Sequence, residues 1–180
     1  MFALRPAVDG DQEPIAAMIH GRSEWMRERG MNGWHSWASS AEVLAAQAGD
    51  PSFPVWVLTA DGGAVVGCTS LYEQSPPWFW TEAEQAEPAF FLATTVTDPA
   101  LAGQRVGALM AWAVLDLAAR TGRRWVRRGT TEAALIRYYR EVQGWDVVRE
   151  KEHKGFVFTG LARLAEAQPG LQVSVASWAS

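Results

Sequence analysis

The sequence predicts an α+β fold, a mixed central sheet with helices on both faces. Three observations lead to it. The predicted elements run β-α-α-β-β-β-α-β-α-β-β, which places strands before, between and after helices. Asp61-Gly62-Gly63, flanked by apolar β-formers, marks a hairpin in the middle of the chain. Ala89–Val96 (AFFLATTV) is a continuous apolar and β-branched run, the pattern of a strand buried on both faces.

Taken in order, residues 2–7 alternate weakly and form a first strand ending at Pro6. Asp11 is a suitable N-cap for a helix over 12–29, in which Ile15, Met18, Ile19, Trp25 and Met26 recur at helical spacing and which Gly30 stops. Met31–Trp37 reads as a loop carrying Trp34 and Trp37, and Ser40 caps a second helix over 41–48. Strands over 53–59 and 64–72 make the hairpin. Ser75–Glu87 is a loop holding an aromatic knot, Trp78, Phe79 and Trp80. After the central strand, Val106, Leu109, Met110, Ala113 and Leu117 define a helix over 106–120 that Gly122 closes. A strand over 124–129, a helix over 133–142 and strands over 145–149 and 155–159 follow, and the tail from Leu161 is read as partly helical, then irregular.

Composition narrows the function. At 180 residues the chain is one domain by default and can bury about 70% of its unfolded surface. A domain over 1–163 followed by a tail over 164–180 is the expected division. With 16 Lys+Arg against 20 Asp+Glu the net charge is −4, which argues against nucleic acid as the main partner. One cysteine, Cys68, excludes an internal disulfide and reads as an apolar filler of a central strand. His20, His35 and His153 fit no zinc spacing, so no metal is expected. No signal core and no membrane-length apolar run are visible, and a cytoplasmic location is expected. The ten tryptophans suit cores, interfaces and apolar pockets alike.

The stretch between the central strand and the next helix, Thr97 to Gly107, is a strand, a glycine-containing loop and a helix start. Free amides and the helix dipole there attract phosphate, and Gly103 and Gly107 allow close backbone approach. An ordinary turning loop is the competing reading. A dinucleotide fold wants three glycines and a later acid, and a nucleotide-triphosphate loop wants Gly-Lys-Ser/Thr; neither is present.

Several motifs together resemble the GNAT superfamily of acyl-CoA-dependent N-acetyltransferases over roughly residues 3–163: the LRPA opening followed by Asp11, Phe90–Val96 with Asp98-Pro99, Ala102–Gly107, and Glu132, Leu135, Tyr139 and Gly144-Trp145. Ala102 and Arg105 stand where the family has Arg/Gln and Gly. Glu132 replaces an Asn, and Tyr139 lies one residue further from Gly144 than is commonest. The resemblance implies a mostly antiparallel sheet of about seven strands with strands four and five splayed. It implies an acetyl-CoA donor whose pantetheine arm pairs with the backbone of Thr94, Thr95 and Val96, a backbone N–H near Val96 acting on the thioester carbonyl. The pyrophosphate then lies on Gly103, Gln104, Arg105, Val106, Gly107 and Ala108, with Glu132 near the cofactor.

Tyr139 takes the place of the family's general acid. A free phenol has pKa about 10 and a thiol about 8.5, so full proton transfer to the thiolate is uphill by about 2 kcal/mol unless the site tunes one of them. Packing of Tyr138 or Tyr139 is the plainer alternative. For the base that frees the amine, Glu73 comes first, then Glu82, Glu84 and Glu87. The first helix and the aromatic residues Trp25, Trp34, Trp37, Trp78, Phe79 and Trp80 are expected on the acceptor side, while Trp112 and Trp125 read as core. Arg120, Arg123, Arg124, Arg127 and Arg128 read as a solvated basic face or as contacts to the adenosine phosphate. The expected activity is direct acetyl transfer to a primary amine of a small molecule. A non-catalytic acyl-CoA-binding or ligand-sensing protein is the alternative, and a homodimer is left open.

Overall fold

In a computed structural model that describes residues 1–178, eight strands form one sheet in the order β6-β7-β5-β4-β3-β2-β1-β8. The strands are β1 (Phe2–Pro6), β2 (Val55–Thr59), β3 (Val65–Tyr72), β4 (Ala89–Thr97), β5 (Trp125–Thr130), β6 (Asp146–His153), β7 (Phe156–Leu164) and β8 (Val173–Val175). The helices are α1 (Gln12–Glu28), α2 (Trp34–Ala45), the single turn α3 (Glu82–Gln85), α4 (Val106–Arg120) and α5 (Ala133–Glu141). The sheet is mixed: β1–β2, β2–β3, β5–β7 and β6–β7 are antiparallel, and β4–β5 and β1–β8 are parallel. The β4–β5 ladder runs from Ala89↔Trp125 to Leu92↔Arg128 and stops there although both strands continue, the separation expected of strands four and five.

The chain divides into two compact units, the first of residues 1–70, 94–110 and 172–177, the second of 71–93, 111–171 and Trp178. In the first, Ile15, Met18 and Ile19 of α1 and Ala41 and Ala45 of α2 bury against Val57, Cys68 and Val96 of the sheet. Burial pushes the Cys68 thiol up to about 12, which keeps it a neutral filler as its strand position suggests. In the second, Phe79, Trp80, Phe91 and Ala162 form the core, with Trp78, Trp125 and Phe158 half-buried around them. This packing depends on two facing glycines of the β5–β7 ladder, Gly129 and Gly160. A Cβ on the first would enter the Phe158 ring, and one on the second the Phe79 ring.

Four local expectations need correction. Asp11 occupies the N-cap position of α1 without capping it; its carboxylate instead takes a bidentate pair from Arg5 (2.7 and 2.9 Å) and the Val8 amide (2.8 Å). These bonds hold the Asp11 carboxyl below its ordinary pKa, the Arg5 bond being the largest cause. The second helix starts at Trp34, behind Gly33 at φ 86°, so Trp34, Trp37 and Ser40 lie within it rather than before it. Burial of Ala41 and Ala45, together with the Ser23 Oγ bond to the Trp34 carbonyl (2.8 Å), fixes that earlier start. Residues 161–164 are strand, not helix, because they complete the ladder to β5. The tail adds the eighth strand: Val173–Val175 pairs with β1 of its own chain, and Trp178 packs on Phe90 with ring centroids 4.6 Å apart. Residues 179–180, the last of the tail, lie outside the described residues.

Candidate functional site

The first unit offers backbone. β4 is interrupted at Thr94, an exposed residue at φ 51°, a left-handed conformation that costs a threonine free energy and turns its peptide groups out of the strand's register. The Thr95 hydroxyl bonds that of Thr69 (2.9 Å), which leaves this residue's main chain, not its side chain, as the part available to a ligand. Val96 is buried in the core. Past Thr97 the chain is clamped by Arg22 of α1, whose guanidinium donates to the Thr97 carbonyl (3.0 and 2.7 Å) and hydroxyl (2.7 Å). Asp98 then caps a short 3-10 turn by accepting from the Ala100 amide (2.8 Å).

The loop into α4 is exposed from Ala102 to Arg105. Gly103 stands at φ 90° and Arg105 at φ 56°. Arg105 therefore adopts a left-handed conformation that glycine takes more readily. No described residue accepts from the amides of Arg105, Val106 or Gly107, whereas those of Ala108 and Leu109 return to the Arg105 carbonyl (2.8 and 3.0 Å). Gly103 has open space where a side chain would stand. Free amides at the start of a fifteen-residue helix, next to an exposed loop, fit a pyrophosphate.

The second unit offers side chains. Tyr139 of α5 is 8% exposed, and its phenol oxygen accepts from Arg128 Nη2 of β5 (2.8 Å), with the guanidinium carbon 3.6 Å from the ring centre. Arg128 Nη1 donates to Gln143 Oε1 (3.2 Å), which also accepts from Trp145 Nε1 (2.9 Å). Arg163 holds the Gln143 carbonyl. Gln143 lies inside the lengthened spacing between Tyr139 and Gly144. Glu132 is exposed at the N-cap of α5 and makes no side-chain cap bond.

Arg127 and Arg128 read in the sequence as a solvated face or as contacts to the adenosine phosphate. They are 2% and 4% exposed, because β5 is an interior strand covered on both sides. Burial lowers the pKa of both guanidinium groups from the ordinary value. Nothing in the sequence marked Arg128 or Gln143, because the interior place of β5 is set by the sheet order. Arg123 is also largely covered, over the Phe90 ring, and Arg120 and Arg124 are exposed.

Three of the four acids read as candidate bases are engaged elsewhere. Glu73 pairs with Arg123, and Glu87 with Arg124 (3.3 Å) and Arg127 (2.8 Å). Glu84 takes both nitrogens of Arg149 (2.9 and 2.5 Å) and the Thr81 amide (2.8 Å), which hold its carboxyl down to about 2. Glu82 is exposed in the first turn of α3. Phe79 and Trp80 are core, not pocket lining, and Trp78 stacks on His153 (4.2 Å). Trp112 and Trp125 are half-buried. In the first unit, His20, Ser23, Glu24, Arg27, Trp34 and Ala38 line an open cleft of about 510 Å³ between α1 and α2. Trp25 lies apart from that lining, flanked by Arg22 and Arg29 (4.9 and 4.2 Å).

Comparison with known proteins shows the family and the fold. The acetyltransferase (GNAT) family profile matches residues 18–145, and the chain belongs to that family. Among solved structures, a GNAT-family acetyltransferase from Listeria monocytogenes 4b F2365 is 17% identical with a TM-score of 0.68, over 91% of this chain and 94% of that one. PaiA N-acetyltransferase from Thermoplasma acidophilum, solved with coenzyme A, is 13% identical at TM-score 0.62, over 89% and 98%. The ribosomal-protein-S18-alanine N-acetyltransferase of Escherichia coli is 15% identical at TM-score 0.60, over 96% and 98%. A search of curated proteins gave no match. The family is one of acetyltransferases, and acetyl-CoA fits as acyl donor. No helix is long and apolar enough to cross a membrane.

Proposed function

We propose that the chain transfers an acetyl group from acetyl-CoA directly to a primary amine carried on a small molecule. Acetyl-CoA supplies an activated thioester carbonyl. The amides of Arg105, Val106 and Gly107 bind its pyrophosphate, with Gly103, Gln104 and Ala108 shaping that loop. The backbone of Thr94, Thr95 and Val96 orients the pantetheine arm and, through an N–H, the thioester carbonyl. Glu132 borders the cofactor, and Tyr139 is the proton donor to the leaving sulfur. The observation that carries this reading is the row of free amides at the start of α4; within the second unit, the Tyr139 oxygen is held and no described residue takes its proton.

The ion pairs of Glu73, Glu84 and Glu87 favour deprotonation of the amine by solvent over a dedicated carboxylate. The α1–α2 cleft, lined by the Trp34 indole and by Glu24 with its partner Arg27, is the candidate acceptor site. No nucleophilic side chain is assigned, since Cys68 is buried and neutral.

The test is a thermal-shift titration with acetyl-CoA and CoA, with thiol release followed on a panel of arylalkylamines, an aminoglycoside and an Ala-starting peptide. Ligand at about 100 Kd stabilises a fold by about 2.7 kcal/mol. A shift with thiol release on a small amine supports the proposal. Release on the peptide alone moves the acceptor to protein N-termini. A shift without release favours the ligand-sensing alternative, and no shift at millimolar CoA overturns the reading.

A further inference from the structure

Arg127 and Arg128 are neighbours on β5, and the alternation of the strand sends them to opposite faces. Arg127 meets a carboxylate, Glu87, at 2.8 Å. Arg128, equally buried, meets none among the described residues; its two hydrogen bonds go to Gln143 Oε1 and the Tyr139 oxygen, and its flat face lies on the Tyr139 ring. A buried guanidinium without an anion is costly to keep. Its environment therefore gains whenever negative charge develops beside it.

Guanidinium nitrogens only donate, so the direction of the 2.8 Å contact is fixed: the Tyr139 oxygen accepts, and its own proton points elsewhere. The fork itself cannot swing away. Gln143 is 1% exposed, and its amide oxygen is held by Trp145 Nε1 and its carbonyl by Arg163.

We infer that Arg128 is a positioning residue that aims the Tyr139 proton and stabilises the negative charge left on the phenol oxygen when that proton is given up. This deepens the proposed acetyl transfer and rests on that reading. The step balances as follows. When the carbon–sulfur bond of the acyl donor breaks, its electron pair stays on sulfur and the acetyl carbon keeps its new bond to the amine nitrogen. Tyr139 passes its O–H proton to the sulfur. The phenolate remains bonded to Arg128, a charge-assisted contact of about twice the neutral strength, until the proton shed by the amine nitrogen returns to it through solvent. Arg128 thus keeps a fixed positive charge beside the phenol oxygen at the step in which that oxygen becomes negative.

The test is steady-state kinetics on the full chain, with acetyl-CoA as donor and hydroxylamine as acceptor, a small nucleophile that is neutral near pH 7 and asks no base of the protein. Native chain, Arg128→Met, Arg128→Lys, Tyr139→Phe and the Arg128→Met/Tyr139→Phe double variant are compared. Arg128→Met is expected to lower kcat about 10- to 100-fold with KM for acetyl-CoA within about twofold, and Arg128→Lys to recover part of the loss. In the Tyr139→Phe background, Arg128→Met is expected to add less than about twofold. An Arg128→Met loss of equal size in that background, or one confined to KM, assigns Arg128 to structure and overturns the inference. A slow Tyr139→Phe beside a native-like Arg128→Met also overturns it and leaves the parent reading standing. A native-like Tyr139→Phe, or silence of the native chain, overturns the parent reading and this one with it.

Discussion

β4–α4 and β5–α5 are the same device, a strand that feeds a helix through a loop, yet they offer a ligand opposite materials. β4–α4 presents main chain: the bulge at Thr94 and the free amides at the start of α4. β5–α5 presents side chains: Arg128, Tyr139, Gln143 and Trp145, joined by hydrogen bonds of 2.8 to 3.2 Å. A site made of amides depends on backbone path and tolerates changes of residue, which is how Ala102 and Arg105 can stand where relatives carry other residues. A site made of side chains fails when one is replaced. The two segments therefore predict different sensitivities to mutation.

The largest effect is expected at Tyr139. Tyr139→Phe removes one oxygen from a residue otherwise packed in place, and should lower kcat about 100- to 1,000-fold while leaving CoA affinity within about twofold. Parallel loss of turnover and CoA affinity would make the tyrosine a binding or packing group and remove the contrast. Next comes the β5–β7 ladder. Gly160→Val drives a side chain into the Phe79 ring, which is 4% exposed and has nowhere to go, so a loss of about 2–3 kcal/mol is expected in denaturant unfolding. Gly103, with open space around its missing Cβ but φ at 90°, should lose only about 1 kcal/mol on replacement by Ala. Equal losses at both sites would mean that packing and backbone strain do not divide as the contacts imply.

The same division explains what could be read in the sequence. β4 and α4 were legible because a continuous apolar run and a 3.6-residue stripe are local signals, and their bounds match within one residue. Tyr139 was singled out by its family position alone, and its role stays a proposal. Arg128 was not, because five arginines within nine residues look like a charged surface until the strand carrying two of them is known to lie inside the sheet. The aromatic knot misled in the opposite direction. Phe79 and Trp80 looked like pocket lining, but both are core, and the space the Phe79 ring fills is left by Gly160 of β7, a non-local fact. Helix α2 began early for a related reason, since Gly33 at φ 86° and the Ser23 bond decide its start and neither is a local propensity.

A smaller effect concerns Glu84, which anchors α3 through Thr81 and Arg149. Its folded-state carboxyl titrates at about 2 instead of the ordinary 4.5, chiefly through the Arg149 bond. A depressed carboxyl contributes stability that is present above the unfolded value and is lost as pH falls from about 4.5 towards 2. The pair is partly solvated, so about 1 kcal/mol is expected from Glu84→Gln at pH 7. Urea unfolding of native chain and variant should show that difference shrinking by pH 3. A difference constant from pH 7 to 3 would assign the loss to the cap and not to the charge.

The smallest effect tests the other arm directly. Arg105 holds φ 56°, a conformation that costs a non-glycine residue about 1 kcal/mol or more, and it lies exposed beside the amides assigned to pyrophosphate. Arg105→Gly relieves that strain but loosens the unfolded chain by a similar amount, so stability should stay within about 0.5 kcal/mol. If the phosphate is held by main chain alone, the Kd for CoA should change less than about twofold by calorimetry. A tenfold weakening, about 1.4 kcal/mol, would mean that the guanidinium reaches the phosphate. In that case the arginine is a replacement contact that accounts for the missing glycine, and β4–α4 is no longer a site made of backbone alone.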